Sequence, residues 1–195
     1  MTLWHKCPEN VYTTAMEIIY VAHHLTPLGA VTLASDGSRL CGLWFDGQRH
    51  DRATLTSPLV EAPDLPVFEE TRSWLSTYFT GQPPNFTPPL LLTGTPFRQQ
   101  IMGLLLTIPF GQTTTYGALA RELAHRQGRT QFSAQAVGGA VGHNPISIIV
   151  PCHRVIGSNG TLTGYAGGMD RKEALLRNER ISCRCGGRST DRPVP

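Results

Sequence analysis

A proline- and glycine-rich segment at residues 81–96 divides the chain into two parts of different character. Its sixteen residues include five prolines and two glycines, a composition that continues neither a helix nor a central strand. Strand-forming residues and turn signals dominate before the segment, whereas apolar residues at helical spacing dominate after it. The sequence therefore predicts an N-terminal α/β domain over 1–92, with a linker at about 81–92, and a helical domain over 93–181.

Three runs of strand-forming residues lie in the first part and are separated by turn sequences. The runs cover residues 17–25, 30–35 and 39–45. Asp36-Gly37, between the second and third runs, is a strong hairpin signal, so we expect an antiparallel meander. The polar stretch 48–66 is predicted to be a loop, and apolar residues at helical spacing predict a helix from about Val67 to Phe79.

Four helices are predicted after the linker. They are expected at about 95–108, 116–125, 133–142 and 170–178, with candidate N-caps at Thr95, Ser133 and Asp170. The two short central helices outline a helix-turn-helix, a motif common in DNA-binding proteins, although the connector from His125 to Phe132 is long for it. Strands first and helices second give an α+β fold class, and residues 182–195 are expected to be a disordered tail.

The net charge of +3 is distributed unevenly along the chain. Residues 1–92 carry five Lys/Arg against nine Asp/Glu, and residues 93–195 carry twelve against five. Eleven of those twelve basic residues are arginine, which suits bidentate phosphate contacts better than lysine does. A basic second half suggests an anionic partner such as nucleic acid, and a solubilising surface explains it equally well.

Cysteine usage and hydropathy point to a cytoplasmic protein. The five cysteines are Cys7, Cys41, Cys152, Cys183 and Cys185. An odd and widely spaced set argues against a disulfide framework and favours a reducing compartment. The sequence has neither an apolar run near the ~20 residues of a membrane span nor a secretory signal, so no membrane partner is expected.

The most informative stretch is Pro151-Cys152-His153-Arg154-Val155, which follows the apolar run 148–150. That run is expected to be a buried strand that ends at the thiol. Histidine titrates near neutral pH, so a cysteine beside it can be deprotonated and act as a nucleophile. Most buried cysteines are inert core residues, so this stretch alone is weak evidence for catalysis.

The helix expected at 133–142 consists almost entirely of alanine, glycine and valine. Each interior glycine costs a helix about 1 kcal/mol relative to alanine, so such a composition needs a reason. Val137 and Val141 lie four residues apart and can face the core, which leaves a nearly bare face from which Gln135 protrudes. That face could enter the minor groove of DNA, while tight helix packing inside the protein is the alternative.

With these two segments in view, the chain resembles the O6-alkylguanine-DNA alkyltransferases, or methylated-DNA–protein-cysteine methyltransferases, of bacterial type. Supporting motifs are Gly94-Thr95-Pro96-Phe97, Tyr116-Gly117-x-Leu119-Ala120, Ala136-Val137-Gly138-Gly139-Ala140, Asn144-Pro145-Ile146, Gly164-Tyr165-Ala166-Gly167-Gly168 and Lys172-x-x-Leu175-Leu176-x-x-Glu179. The resemblance covers about 93–180 in order and spacing. It implies a ribonuclease-H-like antiparallel sheet domain followed by a winged-helix-type domain that carries the site.

The resemblance also implies an activity. Members of the family transfer an alkyl group from guanine O6, or less efficiently thymine O4, in double-stranded DNA irreversibly to a cysteine, without a cofactor. The target base is buried in the duplex, so it must be rotated out through the minor groove, and each molecule acts once. Cys152 then corresponds to the nucleophile, His153 to the base that takes its proton through a water, and Glu179 to the residue that orients the histidine. We expect a monomer in solution, and clustering along DNA is left open.

Further site residues follow by the same correspondence. Asn144 matches an asparagine that braces the turn around the thiol, and Tyr116 matches a tyrosine that meets a DNA phosphate and can protonate the departing guanine. The predicted substrate and DNA contacts are Gln135, Ala136, Gly138, Gly139, Arg154, Val155, Tyr165 and Ala166. One departure is clear, because the family normally has an arginine at the position of Gln135, where the side chain fills the gap left by the rotated nucleotide. A shorter, uncharged side chain predicts weaker base flipping.

Other readings stay open at this point. Some relatives hold a structural zinc, and Cys7, Cys41, His5, His23 and His24 are ligand types without a recognisable spacing, so no metal is expected. A non-catalytic sensor of alkylated bases is a second hypothesis, although Cys152 argues for chemistry. A thiol hydrolase is a third, although an adjacent Cys-His pair is unlike most cysteine peptidases.

Overall fold

A four-stranded sheet forms the N-terminal part of the structure. The computed structural model describes residues 18–50, 55 and 57–181. The strands are β1 (Ile19–Thr26), β2 (Gly29–Ser35), β3 (Leu40–Phe45) and β4 (Leu59–Glu61), in the order β3-β2-β1-β4. The first three form the predicted antiparallel meander, with Thr26 opposite Gly29 and Val31 opposite Phe45. That part of the sequence prediction is confirmed.

Strand β4 corrects the prediction of a loop over 48–66. It runs parallel to β1, with Ile19 opposite Leu59, and all three of its residues are exposed. Because the strand is short and exposed, it carries no alternating pattern of buried residues that a sequence reading could detect. It forms one edge of the sheet.

Strand β3 is the centre of the packing, since every one of its residues is buried. Leu40, Leu43 and Phe45 join the main core, whereas Cys41 and Trp44 join a second cluster on the other face of the sheet. Trp44 lies flat over Gly42, where an added Cβ would fall 1.8 Å from the indole ring. Glycine is therefore required at that position.

The predicted helix after the sheet is present as α1 (Pro66–Phe79), with Pro66 in the first turn, where proline is tolerated. Its buried face is Val67, Phe68, Thr71, Trp74, Leu75 and Tyr78. The segment that follows contains no helix up to Pro96, and Leu91 N donates to Leu40 O along the outer edge of β3. The proline-rich linker thus covers the sheet edge that β4 does not.

Within residues 93–181, the structure contains four α-helices, as predicted. They are α2 (Pro96–Leu105), α3 (Tyr116–Arg126), α4 (Ala134–Gly142) and α5 (Met169–Asn178), with short parallel strands β5 (Thr114–Thr115) and β6 (Val155–Ile156). Thr95 and Ser133 are the N-caps of α2 and α4, each accepting a backbone N–H of its first turn, so these predictions are confirmed. Asp170 is not an N-cap, because α5 begins one residue earlier, after Gly168 with φ 94°.

The two parts share one apolar core. Leu33 and Phe45 of the sheet, Leu75 of α1 and Leu105 of α2 belong to one cluster that also includes Cys152. Leu43 N donates to Pro145 O, and Ser147 N donates to Leu43 O, so β3 pairs directly with the segment before the thiol. In the part of the chain that the structure describes, no helix is long and apolar enough to cross a membrane.

Candidate active site

Cys152 lies at the start of a 3-10 helix (Cys152–Arg154) and is only 5% exposed. The apolar run before it is not the predicted strand. Residues 147–150 form turns, with Ile148 in the left-handed region at φ 69°. The run is buried as expected, but its backbone is satisfied by local hydrogen bonds and a side chain rather than by a neighbouring strand. Burial was readable from the sequence, whereas the turn was not.

Asn144 holds that turn together. Its Nδ2 lies 2.8 Å from Val150 O, 3.2 Å from Ile146 O and 3.1 Å from Cys152 Sγ, while its Oδ1 accepts from Ile146 N at 3.0 Å. A buried amide that satisfies backbone groups on both sides of a turn fixes the turn in one conformation. The bracing predicted for Asn144 fits these contacts, and the amide reaches the sulfur itself.

The charge state of Cys152 is set by opposing influences. Burial raises the pKa of the thiol, while the Asn144 amide, the Lys172 ammonium and the backbone amides of Cys152 and His153 act to lower it. Lys172 is fully buried and donates to Val155 O at 2.6 Å and to Thr163 O at 2.8 Å. Because burial has the largest effect, the pKa of the thiol stays raised and the resting sulfur is neutral. The amides and the ammonium group around it would stabilise the thiolate once it forms.

His153 and Glu179 form a completely buried pair. His153 Nε2 lies 2.7 Å from Glu179 Oε1, and neither side chain is exposed. His153 Nδ1 is buried and has no hydrogen-bond partner among the described residues. The carboxylate therefore assigns the proton to Nε2 and leaves the Nδ1 lone pair available as a base. Burial lowers the pKa of His153, although Glu179 opposes the effect, so the resting imidazole is neutral.

Glu179 accepts five hydrogen bonds. Besides His153, Oε1 accepts from Tyr78 Oη at 2.8 Å and Arg154 Nη2 at 3.0 Å, and Oε2 accepts from Arg154 Nε at 2.8 Å and Gly111 N at 3.1 Å. Burial alone would raise the pKa of the carboxyl, but the bonds from His153 and Arg154 outweigh it and lower the pKa to about 2. The carboxylate is therefore charged throughout the physiological range.

Arg154 corrects a sequence prediction. It was expected among the DNA contacts, yet the residue is 8% exposed and its guanidinium is held by Glu179 and by Ile108 O at 2.6 Å. A buried arginine that pairs with a buried carboxylate is not available to phosphates. Its place is in the charge network behind the thiol.

Tyr78 is a site residue that the sequence reading missed. The sequence places it only within the helix predicted from about Val67 to Phe79, but its hydroxyl lies 2.8 Å from Glu179 Oε1 and 3.4 Å from His153 Nε2. The two residues are 101 positions apart, so no local pattern links them. The one available signal was general, because a fully buried tyrosine hydroxyl needs a polar partner.

Two tyrosines, Tyr116 and Tyr165, interact electrostatically with Cys152. Burial raises the pKa of Tyr116 and of Tyr165, and a negative charge on Cys152 adds to both effects. Tyr116 Oη accepts from Thr163 Oγ1 at 3.0 Å. Val155 N donates to Cys152 O, and the contacts of Val155, Tyr116 and Tyr165 with a substrate stay predictions. Ala166 lies next to Tyr165, and its carbonyl accepts from Arg49 N at 2.9 Å.

Helix α4 presents the predicted small-residue face. Its buried residues are Val137, Ala140 and Val141, whereas Gln135, Ala136 and Gly139 are exposed. Gly138 is half-buried, and a Cβ at that position would lie 3.6 Å from the Tyr116 ring. Helix α4 therefore adjoins Tyr116 at Gly138, and Gln135 is exposed in its first turn. Tight packing inside the protein does not explain the exposed residues of this face.

The described residues contain no group of three or more His, Cys, Asp or Glu side chains that could hold a metal ion. Two of the candidate ligands are otherwise engaged, because His23 contacts Thr32 and Glu61, while Cys41 is buried in the sheet. His24, the third, is half-buried near Glu69 and Arg72. The other two candidates, His5 and Cys7, fall outside the described residues, as do Cys183, Cys185 and the expected tail.

Comparison with known families matches both parts of the chain. Residues 19–92 match the model described as "6-O-methylguanine DNA methyltransferase, ribonuclease-like domain". Residues 96–181 match the model described as "6-O-methylguanine DNA methyltransferase, DNA binding domain". The two descriptions agree with the predicted order of a ribonuclease-like sheet domain and a DNA-binding helical domain.

Individual relatives and solved structures agree with the family models. A Mycobacterium tuberculosis protein named methylated-DNA–protein-cysteine methyltransferase is 44% identical over 155 residues, which are 80% of this chain and 88% of the relative. A Haemophilus influenzae protein of the same name is 38% identical over 168 residues, 85% of this chain and 89% of the relative. The crystal structure of Mycobacterium tuberculosis OGT in complex with DNA superposes with a TM-score of 0.71 at 41% identity, covering 84% of this chain and 92% of that one.

Proposed function

Because the chain belongs to the 6-O-methylguanine DNA methyltransferase family, we propose that it repairs DNA by transferring alkyl groups from guanine O6 directly to Cys152. The assignment to Cys152 rests on the groups that surround its thiol. A thiol braced by Asn144 stands beside a histidine whose free Nδ1 is backed by a buried carboxylate. Nucleophile, base and orienting acid are the parts that covalent transfer needs.

The chemistry is a displacement at the alkyl carbon. The sulfur of Cys152 forms a bond to that carbon while the bond from the carbon to guanine O6 breaks. The electron pair of the broken bond stays on the guanine, which takes up a proton and remains in the DNA strand as the unmodified base. A thioether has no good leaving group, so the cysteine is not regenerated and each molecule repairs one lesion. No cofactor takes part in this balance.

Proton movement is assigned to the buried pair. The resting thiol and imidazole are both neutral, so the thiol proton must leave as the substrate is engaged. His153 Nδ1 takes this proton through a water, and the imidazolium that results is stabilised by the carboxylate of Glu179. Lys172 and the Asn144 amide then favour the thiolate that attacks.

The substrate is proposed to be double-stranded DNA that carries O6-alkylguanine, with O4-alkylthymine as a secondary substrate. Guanine O6 is inaccessible to a thiol while the base is stacked, so the nucleotide is rotated into the pocket. The exposed small residues of α4 enter the minor groove next to that pocket, and Gln135 occupies the space that the nucleotide leaves. Gly138 places this helix next to Tyr116, whose ring would lie 3.6 Å from a Cβ at that position.

Tyr116 is proposed to act at the pocket rim. Its hydroxyl accepts from Thr163 and so keeps its own proton available for the departing guanine or for a phosphate oxygen. Tyr165, Val155 and Ala166 form the wall against the base. The reaction is placed in the cytoplasm, because a thiol acceptor needs a reducing compartment.

Intact-protein mass spectrometry after incubation with duplex DNA containing O6-methylguanine tests the proposal. We expect a gain of one methyl group on Cys152, with activity ending at one equivalent of lesion. Cys41→Ala serves as a matched control, because burial raises the pKa of Cys41 to about 12 and keeps that thiol inert. DNA binding without a mass change would indicate a sensor, and repeated turnover of an ester would indicate a hydrolase. Methyl transfer that persists in Cys152→Ala would refute the assignment.

A further inference from the structure

Tyr78 belongs to the N-terminal part of the chain, yet its hydroxyl contacts His153 and Glu179, which belong to the C-terminal part. The residue is fully buried at the last turn of α1. Its Oη donates to Glu179 Oε1 at 2.8 Å, the same oxygen that accepts from His153 Nε2 at 2.7 Å. The carboxylate oxygen that stabilises the imidazolium is therefore shared with a phenol from another domain.

The position of this phenol is fixed from several sides. Its ring stacks on Trp74 at 5.3 Å and meets Phe110 edge-on at 5.9 Å. The backbone oxygen of Tyr78 accepts from Asn178 Nδ2 at 2.8 Å, next to Glu179 in the chain. The end of α1 is thus joined to the end of α5 both by backbone and by side chain. Such a hydroxyl has little freedom to turn away from the carboxylate.

A phenylalanine would fill the same space, so packing alone does not account for the hydroxyl. Burying a hydroxyl is unfavourable unless it finds a partner, and here the partner is a charged group of the site. We propose that Tyr78 is a positioning residue for the His153–Glu179 pair, through which the N-terminal domain sets the pH range of alkyl transfer. This inference rests on the proposed function of Cys152.

The direction of the effect follows from the shared oxygen. By donating to Oε1, the phenol withdraws negative charge from the atom that faces the imidazole. The other charged groups that act on His153 are Arg154 and Lys172, which oppose its protonation, and Glu179, which favours it. Removing the phenol leaves more negative charge on Oε1, so His153 holds a proton more tightly. As the pH is lowered, the imidazole that must accept the proton is therefore protonated at a higher pH than in the wild type, and the rate falls there.

The test compares Tyr78→Phe with the wild-type chain and with Tyr20→Phe, which removes one hydroxyl from β1, where Tyr20 pairs with Ser35 of β2. Single-turnover rates of methyl transfer from O6-methylguanine duplex DNA are measured from pH 5 to pH 9. In Tyr78→Phe the acidic limb should move to higher pH by about one pH unit, whereas Tyr20→Phe should follow the wild type. An unchanged limb, a shift to lower pH or a uniform loss of rate at every pH would overturn the proposal.

A second measurement separates this inference from the proposed function. The imidazole of His153 is titrated by nitrogen NMR in the free protein, where no substrate is needed. A midpoint that rises in Tyr78→Phe supports the positioning role, and one that stays or falls contradicts it. If the wild-type chain transfers no methyl group, the proposed function fails on that result alone, while the NMR titration still decides the role of Tyr78.

Discussion

Replacing Glu179 with glutamine removes the negative charge at the point where α1, α5 and the thiol segment meet. The carboxylate accepts from Tyr78, His153, Arg154 and Gly111, and all of these groups are donors at its oxygens. A glutamine amide must point its NH₂ group at some of these donors, and the hydrogen bonds there are lost because both groups donate. It also leaves the buried guanidinium of Arg154 without a counter-ion. We therefore expect Glu179→Gln to be strongly destabilising.

The magnitude follows from the carboxyl pKa. In the folded protein the pKa is lowered from 4.5 to about 2, and about 1.4 kcal/mol for each pH unit gives roughly 3 kcal/mol of stabilisation by the ionised form. Breaking a buried ion pair by removing one partner typically costs about 3–5 kcal/mol, which agrees. Because the folded pKa lies below the unfolded one, this contribution is complete above about pH 4.5 and is lost as the pH falls toward 2.

Urea unfolding at pH 7, 5 and 3 measures the effect. Glu179→Gln should lose about 3 kcal/mol at pH 7, and its curve should approach that of the wild type as the pH falls through the range between 4.5 and 2. Glu173→Gln is the matched control on the same helix, because Glu173 pairs with Arg177 at an exposed position and should change stability by only about 0.5 kcal/mol. A loss below 1 kcal/mol at pH 7, or an unaltered pH dependence, would refute the account of this network.

Two further predictions concern helix α4 and the turn before Cys152. Gln135→Arg should increase the rate of methyl transfer from duplex DNA, because a longer, charged side chain fills the space of the rotated nucleotide better. Rapid-quench kinetics measures this rate, and an unchanged rate would show that Gln135 does not fill that space. Asn144→Ala should cost about 1–3 kcal/mol in urea unfolding, because Val150 O loses its partner, and should also lower the reactivity of Cys152 toward iodoacetamide. Wild-type stability in this variant would contradict the bracing role.

The sequence was most informative where a local pattern determines the structure. The meander was readable from its turns, and the caps Thr95 and Ser133 were readable because a hydroxyl before a helical pattern has one common use. Asp170 has the same signature, but Gly168 ends the preceding turn with a positive φ and α5 starts earlier. Local propensity alone could not decide between the two starts.

The errors at the thiol turn, at Arg154 and at Tyr78 arise from side-chain contacts that secondary-structure patterns do not show. The run at 148–150 is as apolar as a buried strand, but Asn144 supplies the hydrogen bonds that a neighbouring strand would have supplied. Arg154 resembles a phosphate ligand until Glu179 is found beside it, and Tyr78 resembles a core residue until the same carboxylate is found. The first depends on a side chain six residues away, whereas Arg154 and Tyr78 depend on a carboxylate that the tertiary fold brings close.

The outer edge of β3 is covered by Pro89 and Leu91 of the linker and by Pro145 and Ser147 of the thiol segment. An uncovered strand edge invites pairing with other molecules, and here the covering segments are parts of the repair site and of the tether between the halves. The two backbone bonds at Leu43 thus both protect that part of the edge and anchor the turn before Cys152. A protease cut that released the linker would leave Leu40 open to pairing with another strand, whereas the bonds from Leu43 to Pro145 and Ser147 would remain.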